Sequence, residues 1–133
     1  MIYSRTAKYG IKALVYLSGK ENGDYSTVSS VADRTDIPAE FLGKIFQELA
    51  RRGILESRKG RGGGFRLRRP GDEISLLEVV ETLDGEDVFN DCLFDVKKCG
   101  RGGTCPLHDE WVPVREEIKN FLAANCVADL ANE

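Results

Sequence analysis

The sequence predicts a mainly α-helical chain carrying one small β-hairpin, and three observations lead there. Apolar residues recur at helical spacing in five separate stretches. Two short alternating runs flank a glycine-rich, cationic segment, Lys59-Gly60-Arg61-Gly62-Gly63-Gly64. The length of 133 residues, with 41% apolar and 31% charged side chains, suits a single domain (1–133) rather than a fibrous or disordered chain.

Ser4 can cap a first helix, with Ala7, Ile11, Leu14 and Val15 on one face. Residues 20–24, with Asn22-Gly23, read as a turn. Ser26 or Thr27 starts a short second helix carrying Val28, Val31 and Ala32. Asp36-Ile37-Pro38 interrupts it, and Pro38 suits the first turn of a third helix. That helix shows Phe41, Leu42, Ile45, Phe46 and Leu49, with Gly53 as its C-terminal cap. A short helix, a tight turn and a second amphipathic helix make a helix-turn-helix pattern. Residues 54–58 and 65–68 then read as paired strands, so the pattern acquires a wing. Gly60 to Gly64 has neither Walker spacing nor a following helix, which argues against a nucleotide cradle.

Beyond Pro70, Ser75-Leu76-Leu77-Glu78 has capping-box form and opens a helix ending at Gly85. Residues 86–104 have no clear period. Pro106 can start a long helix through about Ala124, with Trp111, Val114, Ile118, Phe121 and Leu122 and with Pro113 in its first two turns. The predicted layout is therefore a helix-turn-helix and wing (1–70), a connecting helix (71–91), a cysteine-bearing loop (92–108), and a dimerisation helix with its tail (106–133).

The net charge of -3 conceals a strong asymmetry. Residues 51–69 hold eight basic side chains and only Glu56, whereas residues 71–133 hold five basic and fifteen acidic ones. Phosphate attraction acts over a Debye length of roughly 8–10 Å, so the local block matters more than the total. The wing cations Arg58, Lys59 and Arg61 and the exposed side of the third helix, Ala39, Glu40 and Lys44, are the candidate DNA contacts. Arginine at a narrow hairpin tip can enter a minor groove, where the negative potential is greatest. No apolar run is long enough to span a bilayer, and the N-terminus has no secretory pattern. A cytoplasmic protein with reduced thiols and no membrane partner is expected.

Cys92, Cys99 and Cys105, with the sole histidine His108, give Cys-x6-Cys-x5-Cys-x2-His. Three thiolates and an imidazole can complete a tetrahedral zinc site or the terminal positions of an iron–sulfur cluster. Structural zinc sites usually include a Cys-x2–4-Cys knuckle, absent here, whereas a cluster with several irons tolerates wider spacing. Incidental thiols account poorly for four such residues within positions 92–108. Cys126 reads as a helix-terminus or core residue. A thiol redox enzyme would need a Cys-x-x-Cys pair or a second histidine as base, so no enzyme and no small-molecule substrate are expected.

The chain resembles, over essentially its whole length, the family of small winged-helix transcription regulators that includes IscR, NsrR and RirA. The resemblance rests on Tyr9 to Leu14, Pro38 to Phe46, Arg58 to Leu67, and Ile74-Ser75-Leu76-Leu77-Glu78-Val79-Val80. Cys105-Pro106-Leu107-His108-Asp109-Glu110-Trp111 is most similar to the IscR branch. The resemblance implies a [2Fe–2S] cluster held by Cys92, Cys99, Cys105 and His108. Lys8 stands where NsrR-like members take an acidic ligand from the partner's first helix, which leaves His108 as the fourth ligand. Gly43 stands where IscR-like members often carry a base-reading glutamate. The implied function is that of a homodimeric repressor on a palindromic operator of double-stranded DNA, responding to iron–sulfur status, redox state or a reactive gas. The alternative is a zinc-binding structural or protein-interaction adaptor.

Overall fold

The computed structural model describes residues 4–20, 23–90 and 106–131. The first helix, α1 (Arg5–Ser18), starts where Ser4 Oγ accepts from the Ala7 amide at 3.0 Å. The Ser4 amide and hydroxyl both donate to the Asp84 carboxylate, which places an anion at the positive end of α1. Thr27 caps α2 (Val28–Thr35) through the Ser30 amide, and Asp36 ends it in the left-handed region at φ 59°. Helix α3 (Ala39–Arg51) follows, with Pro38 at the N-cap position.

The end of α3 is fixed by two backbone bonds. The Gly53 amide donates to the Ala50 carbonyl at 3.1 Å and the Ile54 amide to the Leu49 carbonyl at 2.9 Å. With Gly53 at φ 79° this is a Schellman motif, and its usual apolar contact is met because Leu49 and Ile54 are both fully buried. The chain thus turns directly from α3 into the hairpin.

Strands β1 (Leu55–Arg58) and β2 (Gly64–Leu67) pair antiparallel, with Leu55 opposite Leu67 and Arg58 opposite Gly64. The boundaries differ by one residue from the alternation-based reading, as is usual at strand ends. Unforeseen from the sequence, Ser26 pairs with Phe65 as a third partner. Its amide donates to the Phe65 carbonyl at 2.9 Å, and the Phe65 amide donates back at 2.8 Å. Phe65 also packs on Phe46 of α3, ring centroids 5.1 Å apart.

Helix α4 (Leu76–Asp84) starts at Ser75, whose Oγ accepts from the Glu78 amide at 3.0 Å. Only this half of the capping box forms among the described residues, because the Glu78 carboxylate is taken by Arg69. Helix α5 runs His108–Ala124, two residues later than Pro106 suggests, with Pro113 inside it. A short sixth helix, α6 (Val127–Ala131), was not foreseen. Two bonds place it: the Leu76 amide donates to the Asn125 carbonyl and the Val127 amide to the Ile74 carbonyl, each at 2.9 Å. α6 then packs on α1, and Val127 is fully buried. Cys126 lies at this junction, with its thiol and amide both donating to Asp129. Those bonds, the amide's first, hold the Asp129 carboxyl below its ordinary value.

The core joins Leu14, Leu42, Phe46, Ile54, Ile74 and Val80 from five elements or their junctions. No helix among the described residues is long and apolar enough to cross a membrane. Gly64 is a tight joint between the hairpin and the turn before α2. It has φ 134°, and a Cβ there would lie 2.3 Å from the Ser26 carbonyl oxygen. Gly64→Ala is expected to cost about 2–4 kcal/mol in denaturant unfolding, through backbone strain and loss of the Ser26 pairing. Gly43→Ala, where a Cβ meets nothing within 4 Å, is expected to gain about 0.5–1 kcal/mol from helix propensity. Equal stability for the two variants would contradict this account of the joint.

Candidate nucleic-acid interface

Helix α3 buries Leu42, Ile45, Phe46 and Leu49 and leaves Ala39, Glu40 and Lys44 exposed, as the sequence predicts. Gln47 is exposed too, one turn beyond Lys44, and the sequence reading missed it. Its spacing from Glu40 and Lys44 (i, i+4, i+7) was the available signal. A glutamine on such a face can bond the N6 and N7 edge of adenine. Between these side chains Gly43 adds no relief. Phe41, expected on the buried stripe, is instead 49% exposed, beside α1 and α4 in a shallow apolar cleft that includes Ile45 and Leu83.

The basic block divides into two sets. Arg51 pairs with Glu48, Arg66 with Glu56 and Arg69 with Glu78. Arg66 also donates to the Gly23 carbonyl at 3.0 Å, and Arg69 to the Glu73 carbonyl at 3.0 Å. The hydrogen bond to Glu56 raises the Arg66 pKa further above its already high ordinary value. Arg52, Arg58, Lys59, Arg61 and Arg68 are exposed and make no ion pair among the described residues. The sequence reading singled out Arg58, Lys59 and Arg61 by their place on the wing and left the other five cations of the block undivided. Alternation cannot show which of them meet a carboxylate across a strand pair, as Arg66 meets Glu56 in the hairpin register.

Arg58, Lys59 and Arg61 sit at the end of β1 and on the hairpin tip, adjoining α3 through the Phe46–Phe65 contact and the Gly53 turn. The structure therefore presents the exposed side of α3 and a cationic wing on one connected scaffold. Such a helix matches the width of a major groove, and an arginine-bearing tip matches the neighbouring minor groove.

Cys92, Cys99 and Cys105 lie outside the described residues. His108 is the first residue of α5 and partly buried. Cys126 follows the far end of that helix, about 25 Å away for 17 residues at 1.5 Å rise. It is also bonded to Asp129, and within one chain it lies too far away to share a ligand set with His108.

Three helices with a hairpin pinned to the turn before the second of them define a winged helix-turn-helix protein. Residues 3–133 match the Rrf2 family, described as an iron-dependent transcriptional regulator, and the chain belongs to that family. A helix-turn-helix-type transcriptional regulator of Aquifex aeolicus is 31% identical over 134 residues, covering 99% of this chain and 92% of its own length. A second such regulator, from Mycobacterium tuberculosis, is 31% identical over 98% of this chain and 81% of its own. In fold, the chain is similar to CymR, the global cysteine regulator of B. subtilis, with TM-score 0.79 and 21% identity over 96% and 94% of the two chains. It is also similar to T. potens IscR, with TM-score 0.76 and 21% identity over 96% and 83%. The protein is a DNA-binding transcription regulator and not an enzyme.

The division of the basic block is testable. Lys59→Ala is expected to weaken DNA binding on every sequence and lower the salt slope by about one unit. Arg66→Ala is expected to lower the thermal midpoint while leaving that slope unchanged. A slope lost equally in both variants would contradict the division.

Proposed function

We propose that this regulator binds a palindromic operator as a homodimer and represses transcription according to an iron–sulfur cluster, most simply [2Fe–2S], held by Cys92, Cys99, Cys105 and His108. The observation that carries the reading is the donor set itself, three thiols and the sole imidazole within positions 92–108. Its chemistry fits a cluster, with thiolates for most terminal positions and a neutral ring for the last. The family's description as iron-dependent supports it. Similarity to CymR does not weigh against it, because likeness at 21% identity speaks to fold alone. When bound, the cluster supplies one-electron redox chemistry and sensitivity to oxidants.

The chain's own residues do the rest. Glu40, Lys44 and Ala39 on α3 enter the major groove, while the wing with Arg58, Lys59 and Arg61 neutralises flanking phosphates and enters the adjoining minor groove. Leu107, Trp111, Val114, Ile118 and Phe121 follow the alternating four- and three-residue spacing of a helix-pairing seam. Leu107, Val114 and Phe121 are 44%, 47% and 64% exposed in the single chain, a surface that a second copy of α5 would cover. His108 stands on that same helix, so one element carries both a ligand and the dimer seam. Two recognition helices related by a twofold axis suit successive major grooves about 34 Å apart.

Two experiments test the reading. Anaerobic purification is expected to yield a brown protein whose visible absorption is lost in Cys92→Ala, Cys99→Ala and Cys105→Ala but kept in Cys126→Ala. A colourless protein with stoichiometric zinc would overturn the cluster and make this a zinc-bound regulator instead. Phe121→Asp is expected to convert a dimer to a monomer in sedimentation equilibrium and to weaken DNA binding at least about tenfold, as one half-site is lost. A dimer unchanged by Phe121→Asp would contradict the seam.

A further inference from the structure

Tyr25 lies in the turn before α2, half-buried, in a position that neither the helix-turn-helix pattern nor the wing pattern singles out. Two arginines from the hairpin stand over its ring. The Arg66 guanidinium carbon is 4.5 Å from the ring centroid and that of Arg58 is 5.6 Å. Both distances fall within the range of a cation–π contact.

The two arginines are held differently. Arg66 is fixed from three sides, by Glu56 of β1, by the Gly23 carbonyl and by the ring. Arg58 is exposed, and the ring is its one such contact among the described residues. Ser26, next to Tyr25, makes the two backbone bonds to Phe65 that tie this turn to β2. The ring therefore stands on a rigid base, with one fixed cation and one cation facing solvent at the root of the wing.

We propose that Tyr25 is a positioning residue for DNA binding, whose ring restricts the Arg58 side chain to the orientation in which it meets the nucleic acid. The inference rests on the reading of Arg58 as a DNA contact. A free arginine loses several rotamers on binding, and a side chain already held over a ring loses fewer. The contact is a face of an aromatic ring, so the tyrosine hydroxyl is not required.

The test is a double-mutant cycle on a labelled duplex enriched from a random pool by the wild-type protein. Tyr25→Leu is expected to weaken binding about three- to fivefold, the factor that one exposed cation–π contact supports. Tyr25→Phe is expected to bind as wild type. In an Arg58→Ala background, Tyr25→Leu is expected to change affinity less than about 1.5-fold, because the side chain it positions is gone. A loss in that background as large as in wild type would overturn the positioning role while leaving Arg58 as a contact. Full affinity for Arg58→Ala alone would overturn both readings. Should Tyr25→Leu fold poorly, the wild-type protein supplies a second measurement. The Arg58 side-chain protons are expected to show upfield ring-current shifts by NMR, and random-coil shifts would overturn the proposal.

Discussion

The pair of backbone bonds between Ser26 and Phe65 is the constraint on which the rest of the interface depends. A two-stranded hairpin is at best marginally stable alone in water. Here it borrows stability from the helix-turn-helix, because Ser26 immediately precedes the cap of α2 while Phe65 packs on Phe46 of α3. The orientation of the wing relative to α3 is thereby set by short, directional contacts. That is what allows a helix and a hairpin tip to address two neighbouring grooves as one rigid surface.

A second set of contacts connects this surface to the remainder of the chain. Asp84, at the end of α4, binds the start of α1, and α1 also receives α6 at its side. The C-terminal chain is brought back by the Ser75–Cys126 pairing, so α5 leaves and returns to the same core. Helix α5 packs on α4, and α4 packs on both α1 and α3. This mechanical continuity is what a dimer seam on α5 needs in order to set the separation of two recognition helices.

The helices and the hairpin were legible because each is announced locally. Ser4, Thr27 and Ser75 cap helices through their own side chains, and Gly53 ends α3 at a conformation other residues adopt reluctantly. Long-range partners were not legible. Ser26–Phe65 joins residues 39 positions apart, and α6 is a five-residue helix placed by pairing rather than by periodicity. The functional face was half legible. Arg58, Lys59 and Arg61 stand out as cations among glycines, but the pairing of Arg51, Arg66 and Arg69 depends on Glu48, Glu56 and Glu78. The cysteine set was read from spacing, chemistry and the resemblance to the IscR branch. Cys126 is separated from His108 by the full length of α5 and is bonded to Asp129.

In the proposed complex two copies of one surface, α3 with its wing, read a twofold DNA site. Hydroxyl-radical footprinting combined with methylation interference on a selected duplex tests it most directly. The account predicts two equivalent protected patches related by a dyad, centred one helical turn or a multiple apart, with major-groove guanine N7 interference in each. It also predicts adenine N3 interference in the minor groove beside each patch, where the wing tip sits. A single unpaired patch, or major-groove interference with none in the adjoining minor groove, would contradict it.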